Sequence, residues 1–402
     1  MNKKIILAVS LIFTLLFLAA CNKEDADGCN GRPVIRGVKR TVLDSVTIET
    51  GALGDWLIVE GSDFCNIREI YFNDVKVNMA NVYIEPALIS LSVPRVAPYE
   101  VNHKITLVTA LDVSVSFPFE LYVPDVMVKG MLNEYAAPGG RGYIEGENFD
   151  IHQVDSTTGA WITFGDRELA VYRESSTRLS FEIPEDALPN TKIHLFRKDT
   201  LDNVRVSLSV PGYYKDTRNI LYSGNPDRDK CDKNIERTDG LGMTGFPDSI
   251  AGAYYYYKGE YPNGAWGGKW RIYANVPMGQ VMNQDGLYVK IWDLPSDEVE
   301  VVFEVNVVND WTAAEFKINL WDGYWYYWRP YGGSAYRTNG WETIRIPLGE
   351  FKKTVGTAAE PYPTLTEGNI FWDWKNRGVE FNGGYQPNVF FCWDNMRIVP
   401  KE

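Results

Sequence analysis

Histidine is almost absent from this chain: there are three, His103, His152 and His194, and none beyond His194. A Ser-His-Asp or Cys-His nucleophilic site is thereby excluded from the C-terminal half, and most esterase chemistry with it. Cysteine is scarce, five residues without a Cys-x-x-Cys or Cys/His spacing, so no metal site is expected and zinc least of all. Basic charge is in deficit, 40 Lys and Arg against 53 Asp and Glu for a net charge of -13, which disfavours nucleic acid and polyanionic glycans as partners. No stretch of ten or more residues shows a helical period. No apolar run reaches the roughly 20 residues that a membrane span needs.

The one apolar run that does occur, Ile5–Leu18 after Lys3 and Lys4, has the build of a secretory signal peptide over residues 1–20. It stops at Leu18-Ala19-Ala20-Cys21, which resembles the bacterial lipobox, and the resemblance implies cleavage before Cys21 and acylation of that cysteine. Loss of Lys3 and Lys4 would take the charge from -13 to -15. Asn22-Lys23-Glu24-Asp25 is similar to the export tag of outer-surface lipoproteins of Bacteroidetes, so residues 21–33 read as a lipidated tether, anchored in the outer membrane and facing the cell exterior. Cys29, Cys65, Cys231 and Cys392 remain in an oxidising compartment. Pairing Cys29 with Cys65 and Cys231 with Cys392 would keep each bridge local, but four cysteines allow three pairings and sequence does not choose.

An internal repeat follows. Asp55-Trp56-Leu57-Ile58-Val59-Glu60-Gly61-Ser62-Asp63-Phe64 returns as Gly142-Tyr143-Ile144-Glu145-Gly146-Glu147-Asn148-Phe149, with Gly61 and Phe64 answered by Gly146 and Phe149. Ile70–Asp74 and Leu91–Pro94 are answered in the same order by Trp161–Asp166 and Phe181–Pro184. Alternating apolar and polar residues, rich in Val, Ile, Tyr and Phe and broken by Gly, Asn-Asp and Pro, predict short antiparallel strands. Each Glu-Gly-x-x-Phe glycine is expected in a conformation that a side chain would strain, with the phenylalanine plugging the sandwich end. The two copies, 34–123 and 126–212, resemble IPT/TIG domains, immunoglobulin-like sandwiches that act as spacers or interaction modules.

From Tyr214 onward the composition changes, and this segment, Tyr214 included, holds 11 of 13 tryptophans and 16 of 24 tyrosines. Gly340–Phe351 and Phe391–Ile398 look like the late strands of jelly-roll carbohydrate-binding modules, which makes 214–402 a larger β-sandwich and Trp341 and Trp393 core or corner residues. The expected fold is therefore all-β, two IPT/TIG-like sandwiches followed by a jelly-roll-like one. Lipobox, tandem spacers and aromatic-rich terminal domain together resemble the surface glycan-binding proteins of Bacteroidetes polysaccharide-utilisation systems. The resemblance implies a neutral polysaccharide as ligand, with a TonB-dependent glycan importer and surface glycanases as further partners. No cofactor is expected; many similar modules hold a structural calcium, which no motif here indicates.

The densest aromatic stretch can be sorted by spacing. Asp322-Gly323 is a two-residue hairpin signal, and a turn there pairs Trp321 with Tyr324, Leu320 with Trp325, Asn319 with Tyr326, Ile318 with Tyr327 and Lys317 with Trp328. Phe316, Ile318 and Leu320 mark the core side, which would take Trp325 and Tyr327. The other side would present Trp321, Tyr324, Tyr326 and Trp328 beside Lys317, Asn319 and Arg329: rings to stack on pyranose C–H faces, polar groups to meet hydroxyls. A one-residue slip would exchange the two faces. Trp372 and Trp374, in Phe371-Trp372-Asp373-Trp374, and Trp266, in a glycine-rich loop, could extend the platform. In Tyr254–Tyr257 at least half of the rings belong in the core.

No pair among the 53 carboxylates stands in a recognisable glycosidase motif. The reading is a non-catalytic binder of a neutral polymer, whose flat row of rings suits an extended β-linked glucan, xyloglucan or mannan. A surface adhesin that meets another protein with the same rings is the alternative, and it would want a contiguous apolar centre rather than rings interleaved with Lys317 and Asn319.

Overall fold

The computed structural model describes residues 29, 31–198, 205–231, 236–261, 271–274, 278–284, 287–291, 293–321, 324–355, 358–361, 364 and 377–401. The leader and Cys21 lie outside them. Strands dominate, and the α-helices among the described residues are two single turns, Pro226–Asp229 and Met278–Met282. None is long and apolar enough to cross a membrane. The all-β expectation holds. By its contacts the chain divides into two compact units, one comprising essentially the residues up to Asp125 and the other essentially those from Val126 onward.

The first unit is a sandwich. One sheet has the strand order Val34–Lys39, Trp56–Ser62, Leu88–Ser92, Tyr83–Glu85; the other runs Val75–Lys76, Ile67–Phe72, Lys104–Thr109, Ser114–Pro118. Leu57, Val59 and Leu91 of the first sheet and Ile70, Phe72, Ile105 and Leu107 of the second share one buried cluster. The period-2 pattern makes this possible, since every second residue of Lys104–Thr109 is buried. Cys29 and Cys65 form a disulfide.

The second unit opens with the other copy of the repeat. Its sheets, Met127–Met131, Arg141–Glu147, Arg178–Glu182, Tyr172–Arg173 and Arg167–Ala170, Trp161–Phe164, Thr191–Lys198, Arg205–Tyr214, enclose Ile144, Phe149, Ile162, Leu179, Phe181 and Leu195. The repeated motif builds the same corner twice. Phe64 and Phe149 are fully buried, and their amides donate to Pro86 O and Ser176 O; those of Gly61 and Gly146 donate to Ala87 O and Thr177 O. The glycines are not in the left-handed region, contrary to expectation. That conformation falls on Asp63 (φ 62°) and Asn148 (φ 64°). The glycines are required by close approach: a Cβ at Gly61 would meet Val34 O and the Phe64 ring, and one at Gly146 would meet Met127 O and the Phe149 ring.

The same unit continues into the largest sandwich. Its first sheet runs Arg237–Thr238, Tyr254–Tyr261, Gln386–Pro400, Val299–Val307, Glu342–Pro347, and its second runs Arg271–Ala274, Arg377–Gly383, Ala314–Trp321, Tyr324–Trp328, Lys352–Val355, Ala358–Pro361. Phe303, Phe316, Phe381, Phe391 and Trp393 interlock between them, with centroids of Phe316 and Phe391 5.0 Å apart. Trp393 is fully buried and Trp341 nearly so, its Nε1 donating to Asp248 O at 2.9 Å. Tyr254 and Tyr255 are buried, Tyr256 and Tyr257 partly. Of the pairings left open by the sequence, the second local one does not form: Cys231 and Cys392 are not bridged, and Cys231 Sγ lies 3.4 Å from Tyr255 Oη.

Val299–Val307 is buried along its whole length, on both faces. One face is the core; the other carries Glu300, Glu304 and Asn306 and needs a second cover. Tyr254, Trp341, Phe390 and Cys392 supply an apolar cluster. The 131–137 loop of the preceding sandwich supplies a polar one. Thr343 N donates to Leu132 O, Glu134 N to Thr343 Oγ1, and Arg397 reaches both Glu134 and Glu304. Tyr135 Oη donates to Asp216 O at 2.7 Å, beside the ion pair of Asp216 with Arg218.

Candidate functional site

The strand Ala314–Trp321 is held at its start by Gln386, whose Oε1 accepts from the amides of Thr312, Ala313 and Ala314. Phe316, Ile318 and Leu320 then point into the core, while Glu315, Lys317 and Asn319 point away from it. That half of the sequence reading stands. The hairpin also forms, with Trp321 opposite Tyr324 and the turn residues Asp322 and Gly323 outside the described ones.

The register beyond the first pair differs. A bulge between Asn319 and Trp321 shifts the pairing by one, so that Asn319 faces Trp325, Ile318 faces Tyr326, Lys317 faces Tyr327 and Phe316 faces Trp328. Since side chains alternate with a period of two, this exchanges the faces of every ring after Tyr324 relative to the expected pairing. Trp328 is a core residue, 7% exposed, with edge contacts to Phe303, Trp311 and Tyr336 at 5.9, 5.3 and 5.7 Å. Tyr326 packs on Phe351 at 5.6 Å, and burial pushes its phenol pKa up. Tyr324 also packs against the core, with Lys353 Nζ 5.6 Å from its ring. The outward placement of Trp328, Tyr326 and Tyr324 is thus corrected. Trp325 and Tyr327, expected inside, take the outer face.

On that face the side chains form a chain of contacts. Lys317 Nζ sits 4.7 Å from the Trp325 centroid and 5.8 Å from the Tyr327 centroid, and it is paired with Glu380 Oε1 at 2.6 Å. The Arg329 guanidinium lies 5.0 Å from the Tyr327 centroid and is paired with Glu315 at 2.5 Å. Two cations therefore alternate with two rings and are each matched by a carboxylate. The result is an uncharged floor on an acidic chain, with flat π-surfaces ordered by flanking cations. Glu315 and Glu380 are the residues that sequence reasoning missed. Their only signal was a place on neighbouring strands, Lys317 opposite Glu380, which no local pattern reveals.

Trp321 contributes its backbone pairing to the hairpin; Trp266, Trp372 and Trp374 lie outside the described residues. The two described strands that follow those clusters, Arg271–Ala274 and Arg377–Gly383, are neighbours in this same sheet. No group of His, Cys, Asp and Glu among the described residues could hold a metal ion.

Residues 214–400 match the family model for the surface glycan-binding protein B xyloglucan binding domain. The likeness drawn from the sequence is therefore borne out over the C-terminal domain. Among solved structures, the surface glycan-binding protein of Prevotella bryantii is 19% identical with a TM-score of 0.51, covering 92% of this chain and 99% of that one. It shares the succession of β-sandwiches. A surface glycan-binding protein from a complex xyloglucan utilization locus in Bacteroides uniformis is 19% identical with a TM-score of 0.45 over 92% of this chain and 100% of its own. No curated protein matches the chain.

Proposed function

We propose, from the match of residues 214–400 to the family model for the surface glycan-binding protein B xyloglucan binding domain, that the chain captures a neutral β-linked polysaccharide, xyloglucan first among them, without cleaving it. The observation that carries this reading is the Trp325–Lys317–Tyr327 arrangement on the outer face of the second sheet. Pyranose rings stack by their C–H faces on the partly exposed Trp325 and Tyr327, while the cations of Lys317 and Arg329, 4.7 Å and 5.0 Å from the ring centroids, are near enough to meet hydroxyls. Trp321 at the hairpin end, with Trp266, Trp372 and Trp374, would lengthen the row.

The same geometry supports binding without catalysis. Both described carboxylates of the face are tied into ion pairs, Glu380 with Lys317 and Glu315 with Arg329, rather than standing as an acid and a base across an open gap. Acylation of Cys21 would fix the chain to the outer membrane, facing the exterior, where weak contacts from many anchored copies add up along one polymer. Surface glycanases and a TonB-dependent importer are the partners that would consume what it holds.

Affinity electrophoresis of residues 22–402 through gels containing xyloglucan tests this. Retardation lost in Trp325→Ala is the expected result. Undiminished retardation in both Trp325→Ala and Tyr327→Ala would remove the proposed face from consideration.

A further inference from the structure

Two tryptophans lie before the C-terminal domain, Trp56 and Trp161, and the first of them is spent on the outside. Trp56 is 54% exposed, although it starts a strand whose next residue, Leu57, is fully buried. Its indole is not loose. Nε1 donates to Ser90 Oγ at 2.8 Å on the adjacent strand, which lays the ring across the sheet instead of letting it project. On the far side of Ser90, Tyr83 pairs with it from the edge strand and is 59% exposed, its hydroxyl tied sideways to Glu85 Oε1 at 2.7 Å. Ile58, on the same outer face and paired with Ser90, is only 5% exposed yet belongs to no part of the core cluster, so outward side chains cover it.

The strands of Trp56 and Tyr83 are two spacings apart, about 10 Å. That is the span of about two pyranose rings in an extended chain. Between the rings lie Ser90 and Ser92, and the charged pair on this face, Lys39 with Glu60 at 2.9 Å, cancels itself. The corresponding face of the other repeat has Arg141 where this one has Trp56, so the platform is a property of the first copy alone.

We infer that this face of the first sandwich is a second glycan contact, taking two sugar rings of the same uncharged polymer on Trp56 and Tyr83. The inference rests on the glycan-binding reading of the C-terminal domain. The rings are fixed differently, by lateral hydrogen bonds to Ser90 and Glu85 here and by flanking cations there, but both faces offer flat rings to pyranose C–H faces with polar groups beside them. A chain with two such faces engages a long polymer at two points, and the second contact acts at high effective concentration.

Affinity electrophoresis of residues 22–402 in xyloglucan gels, with Trp325→Ala, Trp56→Ala and the double variant, decides it. Trp56→Ala should bind the polymer about tenfold more weakly, because linkage between the faces is lost along with the contact. Trp325→Ala should keep a residual retardation that the double variant loses, and Tyr83→Ala should repeat the effect of Trp56→Ala. Wild-type retardation in both Trp56→Ala and Tyr83→Ala, with none left in Trp325→Ala, would overturn the second face and leave the first intact. Loss in Trp56→Ala with none in Trp325→Ala would keep the second face and discard the first. A wild-type chain that xyloglucan does not retard would overturn both.

Discussion

Arg397 Nη2 and Glu134 Oε2, on residues 263 positions apart, meet at 2.6 Å with neither side chain exposed. The carboxylate comes from the repeat sandwich and the guanidinium from the long strand Gln386–Pro400. Glu134 also meets Arg345, which pairs with Glu300 at 2.7 Å, and Arg397 holds Glu304 at 3.0 Å. Removing one partner of a buried pair leaves an uncompensated charge, so Glu134→Ala should destabilise the chain by about 3–5 kcal/mol. Urea unfolding followed by tryptophan fluorescence reads this mainly through the C-terminal sandwich, where most of the tryptophans lie. An unchanged midpoint would show that the two sandwiches are held together by something else.

Burial pushes the Glu304 carboxyl up from 4.5 to about 7, against the pull of Arg397. Between those values the folded chain keeps a proton that the unfolded chain has released. Stability from this group is therefore fully present below about 4.5 and is lost as pH rises through about 7. Glu304→Gln cannot ionise. Its Tm relative to wild type should rise between about pH 4.5 and 7.5; parallel pH profiles for the two proteins would refute this.

The two tryptophans of the aromatic hairpin should fail in different ways. Trp328→Ala empties a site among Phe303, Trp311 and Tyr336 and should cost about 3–5 kcal/mol of stability. Trp325→Ala leaves the core intact and should change stability by about 1 kcal/mol or less. Thermal melts of both variants check this, and the opposite order would mean the register has been misplaced by one residue.

At the repeated corner, Gly146→Ala would drive a methyl group into Met127 O and the Phe149 ring and should destabilise by about 1–3 kcal/mol. Asn148→Gly, at φ 64°, should be tolerated, since glycine adopts that conformation without strain. If Asn148→Gly proves the more damaging of the two, close approach is the wrong account of why glycine stands there.

The strands and the repeat were legible because burial alternates with a period of two and because Gly61 and Phe64 return as Gly146 and Phe149. The core side of Ala314–Trp321 was legible for the same reason. The faces of Trp325 to Trp328 were not, since an extra residue at a bulge carries no compositional mark and yet reverses all that follows it. The ion pairs of Glu315, Glu380 and Glu134 were invisible too, because each joins residues on different strands or different sandwiches. Cys231 and Cys392 looked pairable by parity, whereas Cys392 lies buried among Tyr254, Trp341 and Phe390.

The bulge beside Leu320 also bears on how such domains are compared. Ring positions counted outward from the Asp322-Gly323 turn land on the wrong side of the sheet, and those counted from Phe316, opposite Trp328, land on the right one. Two chains with identical aromatic letters in this hairpin, one bulged and one not, would offer a polymer different rings. Ligand preference in such a pair would diverge through an insertion of a single residue, with no aromatic residue of the hairpin substituted.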